Sequence, residues 1–379
     1  MIATKWLDNI VAIAARDVNV SGCHQKPPCS LFPTFMPMAH LSIGDFAPWF
    51  STPTIRGDPF SLDLLGGQQV LLCCLPSPAN PSNDTILEYF LDHNADTFDG
   101  VRNSFVGIVN PDETPRKLHE CDSLPGIVLL PDESTAIRNL YGVGNEKSPN
   151  HPTIFLLNPR LQVVAVFFLA EDLESQLHRI LTPLESQRVS KQPAPILVIE
   201  RVFELGLCKA LIEYYTEIGG RPTGFVGIRD GQVQEILDTK VKRRRDVVIE
   251  EPTLREAVVS RVQRRIVPEV QKAFQFNADR IERHVVVGYD AEEGGFFRPH
   301  RDNASPATAH RRFAVSVNLN AGDYEGGDLR FPEFGPTTYR PPRGGAVVFS
   351  CSLLHEATTV TSGVRYAYLP FLYHSKEVG

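Results

Sequence analysis

The stretch Gly294-Gly-Phe-Phe-Arg-Pro-His-Arg-Asp302 decides how the second half of this chain is interpreted. His300 and Asp302 are two residues apart, so on a β-strand both side chains point to the same side and can bind one ion together. A second histidine, His355, follows far downstream. Two imidazoles and one carboxylate on one face of an octahedral metal leave three coordination positions open. The spacing therefore predicts a metal centre that can take further ligands, unlike a closed structural site.

The sequence around this stretch consists of short β-runs separated by glycines. The predicted strands are His284–Asp290, Phe296–Asp302, Phe313–Asn320, Asp328–Phe331, Thr337–Arg340, Ala346–Ser350, Glu356–Val360 and Val364–Tyr373. Many short strands with turn signals between them indicate a sandwich or a barrel. With 11 histidines in 379 residues, one His-x-Asp pair is weak evidence by itself. It gains weight because both metal-binding segments fall on or beside strands of one predicted jelly roll.

A fixed cation follows the second histidine. Arg365 lies ten residues after His355. A guanidinium can hold a carboxylate through two parallel hydrogen bonds. Arg365 is therefore a candidate for binding an anionic molecule beside the metal.

Residues from about Ala194 to Tyr373 resemble the Fe(II)/2-oxoglutarate dioxygenases of the prolyl 4-hydroxylase type. The matching stretches are Tyr289–Asp302, Val315–Asn320, Tyr324–Pro332, Arg343–Phe349 and His355–Arg365. The resemblance implies a double-stranded β-helix, or jelly roll, buttressed by helices. It implies that Fe(II) is bound by His300, Asp302 and His355. It also implies that 2-oxoglutarate chelates the iron and places its distal carboxylate on Arg365.

The same resemblance extends to the cosubstrate pocket and the reaction. Tyr289 lies where the family often has a tyrosine that hydrogen-bonds the cosubstrate, and Asn318 lies where many relatives carry another tyrosine. The implied reaction consumes O₂ and 2-oxoglutarate, releases succinate and CO₂, and uses ascorbate as a reductant. Because Asp302 is retained, hydroxylation is favoured over halogenation, whereas desaturation and ring closure stay open. A free amino acid, a peptide natural product and prolyl residues of a protein all fit as substrate.

Residues from about Leu41 to Leu181 alternate predicted strands and helices, which indicates an α/β domain with a central, covered sheet. The predicted strands are Gln69–Leu75, Ser104–Asn110, Ile127–Asp132, Thr153–Asn158 and Val163–Leu169, and the helices are Thr85–Asn94, Ser134–Gly142 and Glu171–Leu181. Three stretches, Ile43–Phe50, Phe105–Asn110 and His151–Asn158, resemble the peroxiredoxins of the thioredoxin-like fold.

The groups that a thiol peroxidase needs are missing from this domain. The loop Leu75–Thr85 contains no cysteine, and Asn83 is the best candidate for the lost position. His151 stands where the resembled family has an arginine. A peroxidatic thiolate needs neighbouring positive charge. Cys73 and Cys74 lie in an apolar run and are interpreted as small buried hydrophobes. We predict a redox-dead domain used for substrate docking or for homodimerisation.

These observations predict four segments. They are an N-terminal extension over residues 1–38, a thioredoxin-like domain over 39–182, a linker over 183–195 and a dioxygenase domain over 196–379. Within the last, helices are predicted at Phe203–Ile218 and Thr253–Phe274, the second starting with a capping box at Thr253-Leu-Arg-Glu256. Lys240-Val-Lys-Arg-Arg-Arg245 is interpreted either as a solvated loop or as a site for an anionic substrate or acidic peptide near the barrel mouth.

Composition limits the partners and the location. The formal net charge of −7 argues against a surface built for nucleic acid. No stretch is long and apolar enough to span a bilayer, and Ile10–Ala15 is too short and lacks the basic start of a signal peptide. Seven irregularly spaced cysteines suit a reducing cytoplasm. Cys23 and Cys29 are interpreted as ordinary thiols, not as metal ligands.

The leading hypothesis is an iron- and 2-oxoglutarate-dependent hydroxylase acting on an amino-acid, peptide or protein substrate. The alternatives are a non-catalytic binding or redox-sensing protein, an antioxidant protein related to thiol peroxidases, and a hydrolase that binds zinc through the same three residues. The complete ligand set favours the enzyme over the binding protein. Arg365 favours the dioxygenase over the zinc hydrolase, in which it would have no role.

Overall fold

The computed structural model describes residues 41–75, 81–93, 95–110, 124–132, 135–143, 151–169, 173–185, 192–229 and 232–377. The predicted extension over residues 1–38, with Cys23 and Cys29, lies outside the described residues. Residues Ala39–Gly379 form one compact unit. Within the described ranges, no helix combines the length and the apolar character needed to cross a membrane.

The first region of the compact unit is built around a five-stranded sheet. After a hairpin of β1 (Ser51–Pro53) and β2 (Pro59–Ser61), its strands are β3 (Gln69–Cys74), β4 (Asn103–Val109), β5 (Ile127–Pro131), β6 (Thr153–Leu157) and β7 (Val163–Phe168). The spatial order is β5-β4-β3-β6-β7. β4 runs parallel to β3 and β5, whereas β6 runs antiparallel to β3 and β7. The five predicted strands are confirmed.

Both faces of the central strand β3 are covered. Leu71 and Cys73 belong to one hydrophobic core, and Val70 and Leu72 belong to another. A strand buried on both faces has a continuous apolar sequence instead of an alternating one. The helices are α1 (Pro81–Glu88), α2 (Ala136–Leu140) and α3 (Leu173–Glu185). α1 and α3 contribute to the first core, and α2 contributes to the second.

The second region combines three helices with many short strands. The helices are α4 (Leu205–Ile218), α5 (Pro252–Arg265) and α6 (Val267–Phe274). The strands are β8 (Leu197–Ile199), β9 (Arg221–Pro222), β10 (Phe225–Arg229), β11 (Gln232–Ile236), β12 (Lys242–Arg243), β13 (Arg245–Val248), β14 (Arg280–Glu282), β15 (Val285–Asp290), β16 (Phe296–His300), β17 (Phe313–Asn318), β18 (Glu325–Gly326), β19 (Leu329–Arg330), β20 (Thr338–Tyr339), β21 (Ala346–Ser350), β22 (His355–Ala357), β23 (Val360–Ser362), β24 (Val364–Tyr368) and β25 (Phe371–Tyr373). Short 3-10 helices lie at Leu62–Leu65, Ala95–Thr97, Pro332–Phe334 and Ser375–Glu377, and a π-helical turn at Tyr89–His93 continues α1.

Two sheets of the second region pack against each other. The larger has the order β14-β25-β17-β24-β15-β13-β9, with β21 joined to β17 and β8 joined to β21. The smaller has the order β12-β16-β22-β19-β20. Val287 of β15 shares a core with Phe297 of β16, and Ala314 of β17 shares one with Leu329 of β19. The opposite face of the larger sheet packs against α4, α5 and α6 in a separate core, so these helices buttress it as expected.

Two prolines divide elements that were predicted as continuous. The helix predicted at Thr253–Phe274 is two helices, α5 and α6, because Pro268 lacks an amide hydrogen and its ring clashes with the preceding turn. The strand predicted at Val364–Tyr373 is likewise two strands, β24 and β25. Pro370 lies between them and cannot donate to a sheet ladder.

Two helix ends also differ from the prediction. The capping box predicted at Thr253 is not formed. Instead, the carboxylate of Glu251 accepts hydrogen bonds from the amides of Thr253 and Leu254, at 2.9 and 2.5 Å. A carboxylate suits this place because it also interacts favourably with the helix dipole. The second difference is in the first region, where α3 continues to Glu185 and so extends three residues into the segment predicted as a linker.

The basic run Lys240–Arg245 is not a solvated loop. It contains β12 and the first residue of β13, and the side chains of Lys242 and Arg244 are buried. Lys242 Nζ donates hydrogen bonds to Thr223 Oγ1 (2.9 Å) and to the Gly224 carbonyl (2.5 Å). Burial, together with the nearby Arg244 guanidinium, lowers the pKa of Lys242 to about 6. Lys242 and Arg244 therefore point into the domain interior, whereas Lys240 and Arg243 are exposed.

Candidate metal centre

Neighbouring strands of the smaller sheet bring the two predicted histidine ligands together. β16 ends at His300 and β22 begins at His355, and these two residues face each other across the antiparallel pair. Their ring centroids are 4.3 Å apart. Asp302 lies just beyond the end of β16, and its amide donates to the Cys351 carbonyl at 3.0 Å. Asp302 therefore reaches the centre from a turn, not from the strand that the spacing suggested.

The ligand atoms of the three side chains converge on one point. The Asp302 carboxylate has one oxygen 3.6 Å from His300 Nε2 and the other 3.3 Å from His355 Nε2. All three ligand atoms lie within 4.8 Å of one another. Within the described residues, no other group of three or more His, Cys, Asp or Glu side chains is close enough together to hold a metal ion. The three residues predicted as metal ligands are therefore brought together.

Backbone carbonyls determine which nitrogen of each imidazole is free. His300 Nδ1 lies 2.8 Å from the Arg298 carbonyl, and His355 Nδ1 lies 3.0 Å from the Leu353 carbonyl. A carbonyl can only accept, so each Nδ1 carries the proton. Each Nε2 then presents a lone pair towards Asp302, and this second hydrogen bond is the usual means of orienting a metal-binding histidine.

The protonation states also suit a cation. Burial lowers the pKa of His355 to about 4, although the Asp302 carboxylate acts in the opposite direction. Burial by itself raises the pKa of Asp302, but the electrostatic effects of the facing His355, of His300 and of the Arg311 guanidinium outweigh it and bring the pKa below the usual range. At neutral pH, His355 is therefore neutral and Asp302 is ionised, which are the forms that bind a metal.

Aromatic rings surround the imidazoles. Phe297 stacks on His300 with ring centroids 3.5 Å apart, and Phe349 packs edge-on against His355 at 4.5 Å. The ring centroid of Phe331 lies 6.2 Å from that of His355. These rings restrict the orientation of the ligands and keep one side of the centre dry.

Arg365 lies on β24 beside the metal centre. It faces Tyr289 of β15 across the sheet, and its guanidinium lies 5.3 Å from the centroid of the Tyr289 ring. Arg365 Nη2 donates to Ser316 Oγ at 3.0 Å. The residue is only 4% exposed, and over the described ranges no carboxylate forms an ion pair with it. A buried cation without an anion is costly, so this position is suited to an anionic ligand.

One cavity joins these groups. Its polar lining residues are Arg244, Arg283, Tyr289, His300, Asp302, Ser316, His355 and Arg365. Gly327 lies against Arg365, where a Cβ would approach the arginine Cδ to 3.2 Å. The predicted cosubstrate residue Arg365 and the predicted Tyr289 are thus on the same cavity as the three metal ligands.

Asn318 is not part of this cavity lining. Its side-chain amide donates to the Tyr324 hydroxyl at 2.7 Å and to the Pro341 carbonyl at 3.2 Å. Its side-chain oxygen accepts from the Asn320 amide at 3.3 Å. These bonds hold Asn318 within the interior of the second region, so the structure does not bring it to the predicted cosubstrate site.

Sequence reasoning missed two lining residues, Ser316 and Arg283, and it named Arg244 only as a member of the basic run Lys240–Arg245. Arg244 forms a two-pronged ion pair with Asp246, at 2.7 and 2.8 Å, and donates to the Tyr289 hydroxyl at 3.3 Å. Arg283 donates to the same Asp246 carboxylate at 2.8 Å. No alternation of apolar and charged residues marks Arg244 as an inward-facing strand residue, because Lys242 to Asp246 are all charged.

Cys73 and Cys74, the cysteines of the first region that the structure describes, are unsuited to nucleophilic chemistry. Cys73 and Cys74 are fully buried in β3. Burial raises the pKa of both thiols, that of Cys74 to about 12. His151 is exposed, and Asn83 is buried near the start of α1. Cys121 lies outside the described residues.

Comparison with known proteins gives a family for part of the chain. Residues 284–373 match the 2OG-Fe(II) oxygenase superfamily. Over 91 residues the chain is 34% identical to a multifunctional procollagen lysine hydroxylase and glycosyltransferase of Caenorhabditis elegans, which covers 23% of this chain and 12% of that protein. Over 82 residues it is 29% identical to a PKHD-type hydroxylase of Synechococcus sp. (strain JA-3-3Ab), covering 20% and 37%. The chain thus spans well under half the length of these curated relatives.

Two solved structures were also found to be similar. A viral collagen prolyl hydroxylase from Paramecium bursaria Chlorella virus-1 is 18% identical, covering 47% of this chain and 96% of that one, with a TM-score of 0.35. A peroxidoxin from Mycobacterium tuberculosis is 25% identical, covering 39% and 99%, with a TM-score of 0.33. Both TM-scores are below 0.5.

Proposed function

We propose that this chain, whose residues 284–373 belong to the 2OG-Fe(II) oxygenase superfamily, is an Fe(II)- and 2-oxoglutarate-dependent dioxygenase. It hydroxylates an amino-acid, peptide or protein substrate and releases succinate and CO₂. The observation that carries the proposal is the convergence of His300, Asp302 and His355 beside the buried Arg365, which has no carboxylate partner within the described ranges.

The strand order supports a fold for each region. In the second region, the two sheets face each other over shared cores, and the metal-binding strands lie in the smaller one. We infer a double-stranded β-helix over residues 196–379. In the first region, the order β5-β4-β3-β6-β7 with mixed strand directions supports a thioredoxin-like domain over residues 39–182. The boundaries of both domains and of the linker are part of the proposal.

The side chains at the centre fit a divalent iron ion. Two imidazoles whose Nε2 atoms face the Asp302 carboxylate form, with that carboxylate, the ligand set that leaves room for a chelating cosubstrate and O₂. Fe(II) would be held by His300, Asp302 and His355. When bound, the iron and 2-oxoglutarate together supply the activation of O₂ that oxidises the substrate. Ascorbate is proposed as the reductant that keeps the iron in its ferrous state.

Other residues of the cavity bind and orient the cosubstrate. Arg365 would pair with the distal carboxylate of 2-oxoglutarate, with Ser316 holding one guanidinium nitrogen in place. Tyr289 packs under this guanidinium and receives a hydrogen bond from Arg244, which leaves its hydroxyl proton available for the cosubstrate. Phe297 and Phe349 keep water away from the imidazoles.

Two further arginines of the cavity indicate which chemical group of the substrate lies next to the iron. Arg244 and Arg283 share the single carboxylate of Asp246, so one positive charge is left over on this side of the cavity. A guanidinium favours carboxylate or carbonyl oxygens. We therefore expect the part of the substrate next to the iron to carry such an oxygen, as amino acids and peptides do.

The test measures succinate production by the full chain supplied with Fe(II), 2-oxoglutarate, O₂ and ascorbate. Candidate amino acids and peptides are screened for stimulation above the slow turnover without substrate. His355→Ala should abolish both kinds of turnover, whereas His178→Ala, an exposed residue of α3, should leave them unchanged. Equal succinate production by wild type and His355→Ala would contradict the proposal.

A further inference from the structure

The residue between two of the metal ligands belongs to a different contact. Arg301 separates His300 from Asp302, but its guanidinium does not line the metal cavity. It extends to the thioredoxin-like domain, where Arg301 Nε donates to Asp63 Oδ2 at 3.0 Å and Nη2 donates to the Asp63 carbonyl at 3.1 Å. The guanidinium also lies 4.6 Å from the centroid of the Trp49 ring. The first domain thus contacts the segment that carries two of the three ligands.

The same guanidinium is tied to the segment that carries the third ligand. Arg301 Nη2 and Nη1 donate to the two Glu333 oxygens at 3.0 and 3.3 Å, and Nη1 also donates to the Ser352 carbonyl. Glu333 Oε2 in turn accepts from the Leu354 amide at 3.2 Å. Leu354 immediately precedes His355. One network therefore connects both ligand-bearing segments.

Most of this network is shielded from solvent. The side chains of Arg301, Glu333 and Asp63 are 5%, 11% and 14% exposed. The domains approach closely here, because a Cβ on Gly67 would lie 2.3 Å from Pro332 Cβ. A guanidinium buried in this way needs both carboxylates, and the loss of one leaves charge and donors unsatisfied. The remaining groups would then shift to recover them.

We propose that the thioredoxin-like domain helps to hold the metal ligands in their binding geometry. Asp63 and Trp49 act as positioning residues because they fix the Arg301 guanidinium. Arg301 and Glu333 in turn hold the two segments that carry the three ligands in fixed relative positions. The inference rests on the proposed function for the identity of the metal centre. It gives the first domain a role different from the substrate docking or dimerisation that its sequence suggested.

The experiment uses the full chain and Co(II) as a spectroscopic probe of the centre. Asp63→Asn removes the interdomain carboxylate charge at constant size. Direct partners of metal ligands typically contribute about 10- to 100-fold to metal affinity. Asp63 acts on the ligands only through Arg301, so Asp63→Asn should weaken Co(II) binding by up to about tenfold and alter its visible absorption bands. Asp58→Asn is the matched control, since Asp58 is an exposed carboxylate of the same domain.

A double-mutant cycle distinguishes positioning from general destabilisation. If Asp63 acts through Arg301, the double variant Asp63→Asn/Arg301→Gln should bind Co(II) no more weakly than Arg301→Gln alone. Asp63→Glu should restore part of the affinity. The melting temperature of each metal-free variant is measured in parallel, because a merely structural contact lowers that temperature without changing the spectrum of the Co(II) that is bound.

The outcomes separate this inference from the proposed function. The positioning role alone would be overturned by one set of results. In that set, wild type binds Co(II), His300→Ala does not, and Asp63→Asn and Arg301→Gln keep the wild-type affinity and spectrum. Binding of Co(II) by wild type and His300→Ala with equal affinity would overturn the proposed metal centre and this inference with it. If Arg301→Gln does not fold, Asp63→Asn and Asp63→Glu decide the question alone.

Discussion

Replacing Arg365 by glutamine tests the cosubstrate site. The substitution removes a buried guanidinium that donates to Ser316 Oγ and packs over Tyr289. Glutamine is polar and nearly as long, so it limits the cavity left in the core. The three metal ligands keep their own backbone hydrogen bonds, and therefore metal affinity should change little. The affinity for 2-oxoglutarate should fall strongly, because its distal carboxylate loses its charged partner.

The size of the effect follows from the burial of Arg365, which is 4% exposed. Losing one partner of a buried, hydrogen-bonded charge pair costs about 2–5 kcal/mol. At about 1.4 kcal/mol per tenfold change, the lower value already corresponds to roughly a 30-fold higher KM for 2-oxoglutarate. The lower part of the range is expected, because Arg244 supplies positive charge to the same cavity.

The assay measures the KM for 2-oxoglutarate by succinate release and the metal affinity by Co(II) titration, on the same preparations. Arg280→Gln is the control, since Arg280 is more than half exposed and lies on β14, away from the cavity lining. An unchanged KM in Arg365→Gln would refute the assignment. An equal loss of Co(II) and 2-oxoglutarate binding would show that Arg365 supports the fold of the centre instead of binding the cosubstrate.

Three further predictions concern the rest of the molecule. Burial lowers the Lys242 pKa to about 6, so between about pH 6 and 10 the folded state binds fewer protons than the unfolded state. The free energy of unfolding of wild type should therefore increase over that range, and Lys242→Met should make this increase smaller. Urea unfolding at several pH values checks this, and parallel pH profiles of the two proteins would contradict it. Gly67→Ala should destabilise the folded chain by about 1–3 kcal/mol, because its φ of +93° and its contact with Pro332 both exclude a Cβ; a melting temperature equal to that of wild type would contradict this. The full chain should reduce hydrogen peroxide with a thiol donor no faster than free cysteine does, because Cys73 and Cys74 are buried with raised pKa values; faster reduction would identify a reactive thiol.

Local sequence patterns were sufficient for the five strands of the first sheet and for selecting the pair His300 and Asp302. The five strands of the first sheet are apolar runs bounded by turn residues, and their covered faces follow from the absence of alternation. His300 and Asp302 are close in sequence, and only His355 had to be matched to them over a long separation. The resemblance to the dioxygenase family implied that match, and the predicted jelly roll allowed it, because neighbouring strands can join distant segments.

Contacts between distant segments could not be predicted. The Arg301–Asp63 ion pair joins residues 238 positions apart and has no periodic signal. Arg244 belongs to a charged run whose burial depends on the partner Asp246 and on the strands that cover it. Asn318 was selected by its position in the resembled family, but its hydrogen bonds with Tyr324 and Pro341 depend on how the second region packs.

Metal binding by the ligand variants tests the central claim most directly. The full chain is titrated anaerobically with Fe(II), and bound iron is measured for wild type, His300→Ala, Asp302→Ala and the control His178→Ala. The three converging side chains predict one iron per wild-type chain and per control chain, and loss of tight binding in both ligand variants, together with loss of succinate production. Retention of wild-type iron affinity and activity by either His300→Ala or Asp302→Ala would contradict the account.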